Sequence, residues 1–517
     1  MLIRPNRNNK SVNYTLPSPY GGLNVRDSQD IMPASDAIIM DNYIPQDTKV
    51  ALRKGYSQYI KSEKPFFTLA SYNKYGFSRF IGVSGGFAYN ISSKKNPKKY
   101  ETVVFSNSRC QTVLYKDRLF FMNGVDIPKV FYINEEGEDV FENWGFSNEN
   151  LIAEKIIAGA VSKQFLWFIE KGSLTVWYSS EGGNISGELF SFDLSQVTRF
   201  GGYIVAVCCW TLDGGQGIDD LTVFLTSEGE ALVYSGSNPN SPTDWELKGR
   251  YKLPKPIGFK CTLAYQGDVI IITEEGYLPL SRVLPLNQAG SSSISFSDKI
   301  RGMVLERTAN NKNKEGWQGI IYPKGGLALF NVPVARHYEQ HVINMNSGAW
   351  CRFTNIRSHC WELFEGRLYF GSDYGVYLFD DGYSDGGHHI YGEVHQAFNN
   401  LGHNGLKKIQ LLNPRTKSST KYELVIYTNM DFENRKDTFI ENLGSTGITK
   451  WNEAKWSTLD NPIGTKWQTL KGSIRSQWIA NSATGFKAGI VFKTKTRGNL
   501  IEWFDTGVRY EIAEGIL

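Results

Sequence analysis

Gly366-Arg-Leu-Tyr-Phe-Gly-Ser-Asp-Tyr-Gly-Val-Tyr-Leu-Phe379 holds two short apolar runs separated by a Gly-containing turn, the signature of a strand, a tight turn and a second strand. The same unit recurs at Ser78-Arg-Phe-Ile-Gly-Val-Ser-Gly-Gly-Phe-Ala-Tyr89, Arg118-Leu-Phe-Phe-Met-Asn-Gly124 and Gln164-Phe-Leu-Trp-Phe-Ile-Glu-Lys-Gly172. It returns at Leu221–Tyr234, Asp268–Leu278 and Gly326–Phe330. Aligned on Phe80, Leu119, Leu166, Val223, Val269, Leu327 and Leu368, the spacings are 39, 47, 57, 46, 58 and 41 residues. They bracket the roughly 40–50-residue period of propeller blades, the longer ones carrying loop insertions. A single four-stranded blade cannot bury both of its faces, so blades must stack around an axis and exclude water between neighbouring sheets. The alternative, unrelated hairpins of one large sandwich, does not account for so regular a recurrence. The sequence therefore predicts an all-β chain with a β-propeller of six or seven blades.

Composition agrees. The chain has 517 residues, 41% hydrophobic, 14% aromatic and 21% charged, with 51 Gly and only 7 Met. That aromatic content excludes a disordered chain, and the absence of the relevant periods excludes collagen and coiled coil. Net charge is +4, with the middle mildly acidic and the ends mildly basic. A module that held nucleic acid by neutralising phosphates would carry a concentrated basic face. No 18-residue apolar stretch exists, so no membrane anchor is expected, and a chain that folds in the cytosol is the simplest reading. The six cysteines include no Cys-x-x-Cys, and the adjacent Cys208 and Cys209 read as packing residues on opposite faces of a strand.

Past Asp385 the texture changes. Strand-like runs such as Glu423-Leu-Val-Ile-Tyr-Thr428 alternate with Trp451, Trp456, Trp467, Trp478 and Trp503, which read as core packing, with a sugar platform as the functional alternative. The expected organisation is an extended N-terminal arm with its lead-in strand over 1–65, a propeller over 66–385 and a C-terminal β-sandwich-like domain over 386–517. Helix is expected only at Ser35–Met40, capped by Ser35 or Asp36, and at Asn148–Ala160.

Candidate catalytic motifs dissolve on inspection. His337-Tyr-Glu-Gln-His341 lacks the His-Glu-x-x-His order of a zinc protease helix and reads as strand, where the two histidines share a face and a weak metal site is conceivable. His388, His389 and His395 with Asp385 read as a solvated interdomain loop. Asp213-Gly-Gly-Gln-Gly-Ile-Asp-Asp220 lacks the ligand order of a calcium loop. Gly82-Val-Ser-Gly-Gly86 matches a nucleophile elbow formally, but Phe87-Ala-Tyr89 continues as strand, so a hairpin turn is the better reading. No carboxylate pair is singled out. No catalytic, cofactor-binding or metal-ligating residue is expected.

The beginning of the chain carries the strongest pattern. Gly21-Gly-Leu-Asn-Val-Arg-Asp27 leads to Met32-Pro-Ala-Ser-Asp-Ala-Ile-Ile-Met-Asp-Asn-Tyr-Ile-Pro45 and then to Val50-Ala-Leu-Arg-Lys-Gly-Tyr56. The bland reading is a well-packed segment that enters the propeller. The ordered set Gly21, Gly22, Leu23, Asn24, then Met32, Pro33, Asp36, Ala37, then Asn42, Pro45, then Leu52, Arg53, Gly55, Tyr56 resembles the tail-hub, or nozzle, proteins of short-tailed bacteriophages, also called packaged-DNA stabilisation proteins. The resemblance covers residues 21–56 and is specific as an ordered set.

It implies a virion structural protein, assembled in the host cytoplasm, forming a homohexameric ring below the portal and its adaptor ring. Tail fibres or spikes and a plug or needle protein would attach to it, and genomic double-stranded DNA would pass through its lumen without sequence-specific binding. No catalytic residues and no cofactor carry over. A near-neutral chain suits a channel through which DNA must slide, because each Lys or Arg contact to phosphate adds affinity. Lumen-facing loops are expected from the insertions Asn184–Gln196 and Asn310–Gly319. The rival readings are a carbohydrate- or receptor-binding propeller and a propeller glycosidase.

Overall fold

A computed structural model describes residues 11–74, 76–145, 148–180, 188–213, 218–283, 295–335, 337–419, 422–433, 441–443 and 473–513. They form two compact units. Residues 58–340 and 355–379 make one, and residues 1–57, 341–354 and 380–517 make the other.

The first unit is the propeller. Blade 1 comprises Phe66–Lys74, Phe77–Ser84, Phe87–Asn90 and Lys98–Val104 in antiparallel sequence order. Blade 2 comprises Gln111–Tyr115, Arg118–Met122, Lys129–Ile133 and Asp139–Asn143. Blade 3 is built from Ile156–Ser162, Phe165–Glu170, Thr175–Ser179 and Leu189–Asp193, and blade 4 from Ile204–Asp213, Ile218–Thr226, Glu230–Ser235 and Glu246–Lys252. Blade 5 has three described strands, Thr262–Tyr265, Asp268–Thr273 and Gly276–Pro279.

The last blade is Cys360–Phe364, Arg367–Ser372 and Gly375–Phe379, completed by Tyr56–Lys61 from before blade 1. Ser62 N–H donates to Tyr374 O at 3.1 Å on this seam. These six sheets are separate from one another. Gln318–Tyr322 and Leu327–Val334 occupy the place between blade 5 and the last. Each of the seven aligned sequence stretches supplies the second strand of one of these positions.

Strand alternation explains why the ring forms. In Arg118-Leu-Phe-Phe-Met122, Leu119 and Phe121 pack with Tyr72, Ile81 and Val83 of blade 1, while Phe120 and Met122 pack with Ile156, Leu166 and Phe168 of blade 3. A strand whose odd and even residues are both apolar cannot face water on either side. Each such ring contributes about 1.5–3 kcal/mol through burial, and the rings meet edge-to-face, as Phe120 and Phe168 do at 5.7 Å and 78°. Polar side chains tie neighbouring blades together. Glu362 accepts from Ser71 N–H (3.2 Å) and Oγ–H (2.7 Å), linking the last blade to the first, and Ser162 and Thr222 hydroxyls meet at 2.6 Å between blades 3 and 4.

The second unit is a two-sheet sandwich. One sheet runs Ser473–Ser476, Lys407–Ser418, Ile501–Ile512, Val50–Leu52, Tyr43–Pro45, with Ser11–Pro17 added on Ile501–Ile512 and Ile479–Gly485 on Lys407–Ser418. The other runs Trp350–Phe353, Asp36–Asp41, Ile390–Gln396, Ala488–Thr496, Tyr422–Met430, Glu441–Leu443, with Gly22–Leu23 parallel to Asp36–Ala37. Between them Trp503 stacks on Phe492 at 4.4 Å and 5°, and Tyr43 meets Phe492 edge-on at 6.0 Å.

Three expectations are corrected. Residues 11–52 are not an extended arm: they supply strands to both sheets of the sandwich, in register with residues 393–396 and 502–511. Asp36–Asp41 is a strand and not a capped helix, because Ile38 and Ile39 are β-branched and the segment pairs with Ile390–Gln396. Over 148–160 only Ala153–Lys155 turns as a 3-10 helix before the strand Ile156–Ser162 begins. The longest described helix, Arg301–Asn311, lies where none was expected. Of Asn184–Gln196, residues 184–187 lie outside the described residues, and Leu189–Asp193 is the outer strand of blade 3.

Candidate functional site

The polar residues of the N-terminal pattern fall into two hydrogen-bonded clusters of the sandwich unit, one around Arg53 and Asn42 and one around Asn24 and Asp36. Arg53, 1% exposed, donates from Nε to Asn42 Oδ1 (2.8 Å), from Nη1 to Lys54 O (3.0 Å) and from Nη2 to Thr354 O (3.3 Å). Its two terminal nitrogens also grip Asp385 Oδ1 and Oδ2 at 2.8 and 2.7 Å. The planar fork of Arg is what permits this bidentate grip.

Asn42 sits at φ +61°, a left-handed conformation that Asn tolerates. Its amide donates to Thr354 Oγ1 and Tyr391 O, both at 2.8 Å, while Oδ1 accepts from Arg53 and from Thr354 N–H. Asn24 donates to Asp36 Oδ2 (2.8 Å) and Asp27 Oδ2 (2.9 Å), and its Oδ1 accepts the backbone N–H groups of Arg26 and Asp27.

The glycines are there for close approach. A Cβ on Gly55 would lie 1.9 Å from Ser384 O, and one on Gly22, at φ +84°, would lie 2.6 Å from Trp350 O. Leu23, Met32, Ala37, Pro45 and Leu52 are buried beside them, Gly21 and Tyr56 are half-buried, and Pro33 is exposed at the turn that hydrogen-bonds Asp36 N–H. These side chains spend their hydrogen bonds on neighbouring groups of the same unit, which is the chemistry of a structural knot.

The remaining motifs lie elsewhere in the structure. His337 is exposed and His341 fully buried. Among the described residues no group of three or more His, Cys, Asp or Glu could hold a metal. Asp385 is no solvated loop carboxylate, being committed to Arg53, and His395 hydrogen-bonds Glu393 at 2.7 Å. Gly85 and Gly86, at φ +57° and +85°, form the two-residue turn between Ser84 and Phe87, as a hairpin requires. Asp213 and Ile218 pair at the tip of the first hairpin of blade 4, with 214–217 outside the described residues. All six cysteines are free. Trp503 is core and Trp478 is 45% exposed; Trp451, Trp456 and Trp467 lie outside the described residues.

A second feature, with no motif behind it, lies in the propeller unit. Loops at the ends of strands from several blades line a cavity of about 280 Å3. Its wall includes Arg109, Lys171, Lys260, Lys312, Lys314 and one carboxylate, Glu315. Arg109 pairs with Glu315 at 2.9 Å, donates to His359 O at 3.2 Å and lies over the Phe67 ring. His359 is clamped at both nitrogens, Nδ1 at 3.0 Å from the Tyr338 hydroxyl and Nε2 at 2.8 Å from Asp373 Oδ1. Burial lowers its pKa against the opposing pull of Asp373. Burial pushes the lining thiols of Cys110 and Cys360 up, to about 12 and about 11, so both stay protonated and neither is a nucleophile at neutral pH.

Asn310–Gly319, expected from the sequence as a lumen-facing insertion, supplies residues 312–318 to this wall, whereas nothing in the sequence singles out Arg109, Lys171, Lys260 or His359. Those four come from separate blades, and only the closed ring brings them together.

No family model matches the chain, and no curated protein matches it. Among solved structures it is similar to a streptogramin B lyase, with TM-score 0.40 and 10% identity over 62% of this chain and 96% of that one. It is similar also to Sqt1 of Saccharomyces cerevisiae, with TM-score 0.37 and 10% identity over 66% of this chain and 98% of that one. Likenesses this distant carry no functional argument.

Proposed function

We propose that this chain is a virion structural protein, the tail hub or nozzle of a short-tailed bacteriophage. In this role it closes the DNA exit channel below the portal and adaptor after packaging and conducts DNA during ejection. The observation that carries the reading is the ordered set from Gly21 to Tyr56, the set on which the family resemblance rests, together with its use in two hydrogen-bonded clusters, one around Arg53 and one around Asn24. Such residues fix a fold for assembly rather than act on a substrate. The net charge of +4 over 517 residues supports passage of DNA without tight retention. A ring of six needs a head-to-tail interface that closes on itself.

Light scattering tests this on the purified chain, alone and mixed with DNA-filled portal–adaptor particles. Six copies of the 58.4 kDa chain add about 350 kDa to a particle. A chain that ignores such particles overturns the reading. Hydrolysis of a glycan panel would replace it with a propeller glycosidase.

A further inference from the structure

We propose that the propeller cavity is a binding site for a small organic oxyanion, a phosphate- or carboxylate-bearing molecule, held by Lys260 and Lys171. This site is separate from the assembly role argued above. Its lining carries five cationic side chains against one carboxylate. Three of the five are already engaged: Arg109 with Glu315, Lys312 with Glu274 at 3.1 Å, and Lys314 with Asn311 Oδ1 at 2.8 Å. Lys260 and Lys171 have no side-chain hydrogen bond and no ion pair among the described residues.

Lys260 is half-buried, and that burial lowers its pKa, with the like charge of Arg109 adding to the effect. Glu362, the carboxylate whose charge acts on it, spends Oε1 on Ser71 and makes no ion pair with it. A desolvated ammonium without a counterion is costly, and such groups in native proteins are paired or bound to something. An oxyanion in the cavity supplies the missing partner to Lys260 and, at the exposed end, to Lys171.

The volume argues for an organic molecule over a bare ion. About 280 Å3 is on the order of nine times the roughly 30 Å3 share of one water. Phe67 and Trp317 give the wall an apolar side that a carbon skeleton can cover, while the Gln111 and Asn123 amides offer hydrogen bonds to its substituents.

Isothermal titration calorimetry on the full chain tests the proposal with citrate, glucose 6-phosphate, inorganic phosphate and neutral glucose. Citrate or glucose 6-phosphate is expected to bind, with glucose silent. K260M should weaken that binding about tenfold or more, the loss expected for a charge-assisted contact. K248M, at a solvent-exposed lysine of blade 4, should leave it unchanged. Citrate alone binding identifies the carboxylate source, and glucose 6-phosphate alone the phosphate source. K171M provides the second variant should K260M fold poorly, and is expected to weaken binding as well. The proposal is overturned if neither organic anion binds at 10 mM, the range of weak metabolite affinities on the order of millimolar. It is equally overturned if inorganic phosphate binds as tightly as the organic anions, or if the folded cavity variants bind like the parent chain.

Discussion

Asp385→Asn is the most direct probe of the buried knot in the sandwich unit. The substitution keeps volume and removes one charge, leaving the Arg53 guanidinium, 1% exposed, facing an amide that offers N–H where carboxylate oxygen stood. Two contacts at 2.8 and 2.7 Å are lost or weakened. The contacts to Asn42, Lys54 and Thr354 cannot neutralise the remaining charge. Breaking a buried pair by removing one partner costs about 3–5 kcal/mol, whereas an exposed pair such as Lys248–Glu246 is worth about 0–1 kcal/mol. D385N should therefore lose about 3–5 kcal/mol, and K248M well under 1 kcal/mol. Because two units need not unfold together, a single melting curve is a poor readout.

Hydrogen exchange by mass spectrometry localises the effect. Gly55 N–H donates to Gly382 O, Tyr56 N–H to Ser384 O and Gly386 N–H to Tyr56 O, so peptides spanning 53–57 and 381–386 report on the knot. Protection there should fall by about two to three and a half orders of magnitude, at about 1.4 kcal/mol per tenfold. The double variant R53M/D385L, which removes both charges, should cost less than the sum of its single variants. Unchanged protection in D385N, or strictly additive single costs, would refute the claim that this pair is desolvated and mutually dependent.

Other consequences follow from neighbouring geometry. Gly55→Ala places a Cβ 1.9 Å from Ser384 O, backbone that is itself hydrogen-bonded, and should cost about 3 kcal/mol or more, whereas Gly145→Ala meets nothing within 4 Å and should stay within about 0.5 kcal/mol; urea titration of both variants checks the contrast. Trp503→Ala removes a fully buried indole that stacks on Phe492 and donates to Asp505 O and Thr506 Oγ1, an expected loss of about 3–5 kcal/mol. Trp478→Ala, at an exposed ring, should be near neutral in the same titration, and equal losses would show that the core has been misread. Glu393 is held at about 2 by the His395 hydrogen bond, with Lys493 assisting against the cost of burial. Its folded pKa lies below the unfolded value of about 4.3, so its contribution is present above that value and is lost as pH falls through about 2. At 37% exposure that contribution is small, so E393Q should lower stability slightly at pH 7, have its smallest effect near pH 2, and so flatten the curve between about pH 4 and pH 2; superimposable acid limbs would refute the assignment.

The parts of the fold that were legible in the sequence are those in which one strand carries its own evidence. Phe80, Leu119, Leu166, Val223, Val269, Leu327 and Leu368 each sit in a second strand buried on both faces, and such a strand reads as an unbroken apolar run followed by a Gly turn. The helix Arg301–Asn311 left no such trace, since only Met303 and Val304 among its apolar residues are buried and Thr308 and Asn311 fill the rest of the inner side. The N-terminal segment was misjudged for a related reason. Its strands Gly22–Leu23, Tyr43–Pro45 and Val50–Leu52 are two or three residues long, and although Gly22–Leu23 pairs with Asp36–Ala37 and Tyr43–Pro45 with Val50–Leu52, the contacts that tie them into the unit reach far along the chain. Asn42 reaches Thr354 across 312 positions and Arg53 reaches Asp385 across 332. Local periodicity cannot report pairing of that range.

What sequence did show there was an ordered set of Gly, Asn, Asp and Arg, residue types whose common feature is a demand on backbone or partner that few other side chains meet. The knot explains the set without invoking a substrate: Asn42 for a left-handed turn with every hydrogen-bonding position filled, Gly55 for contact with a carbonyl, Arg53 for two carboxylate oxygens at once. The cavity is the opposite case. Its cations come from loops of separate blades, each unremarkable where it stands, and their significance arises only when the ring closes. Composition could exclude a phosphate-gripping surface for the chain as a whole, and still a local excess of positive charge arose inside it, because net charge sums over residues while a binding site depends on which of them face one space.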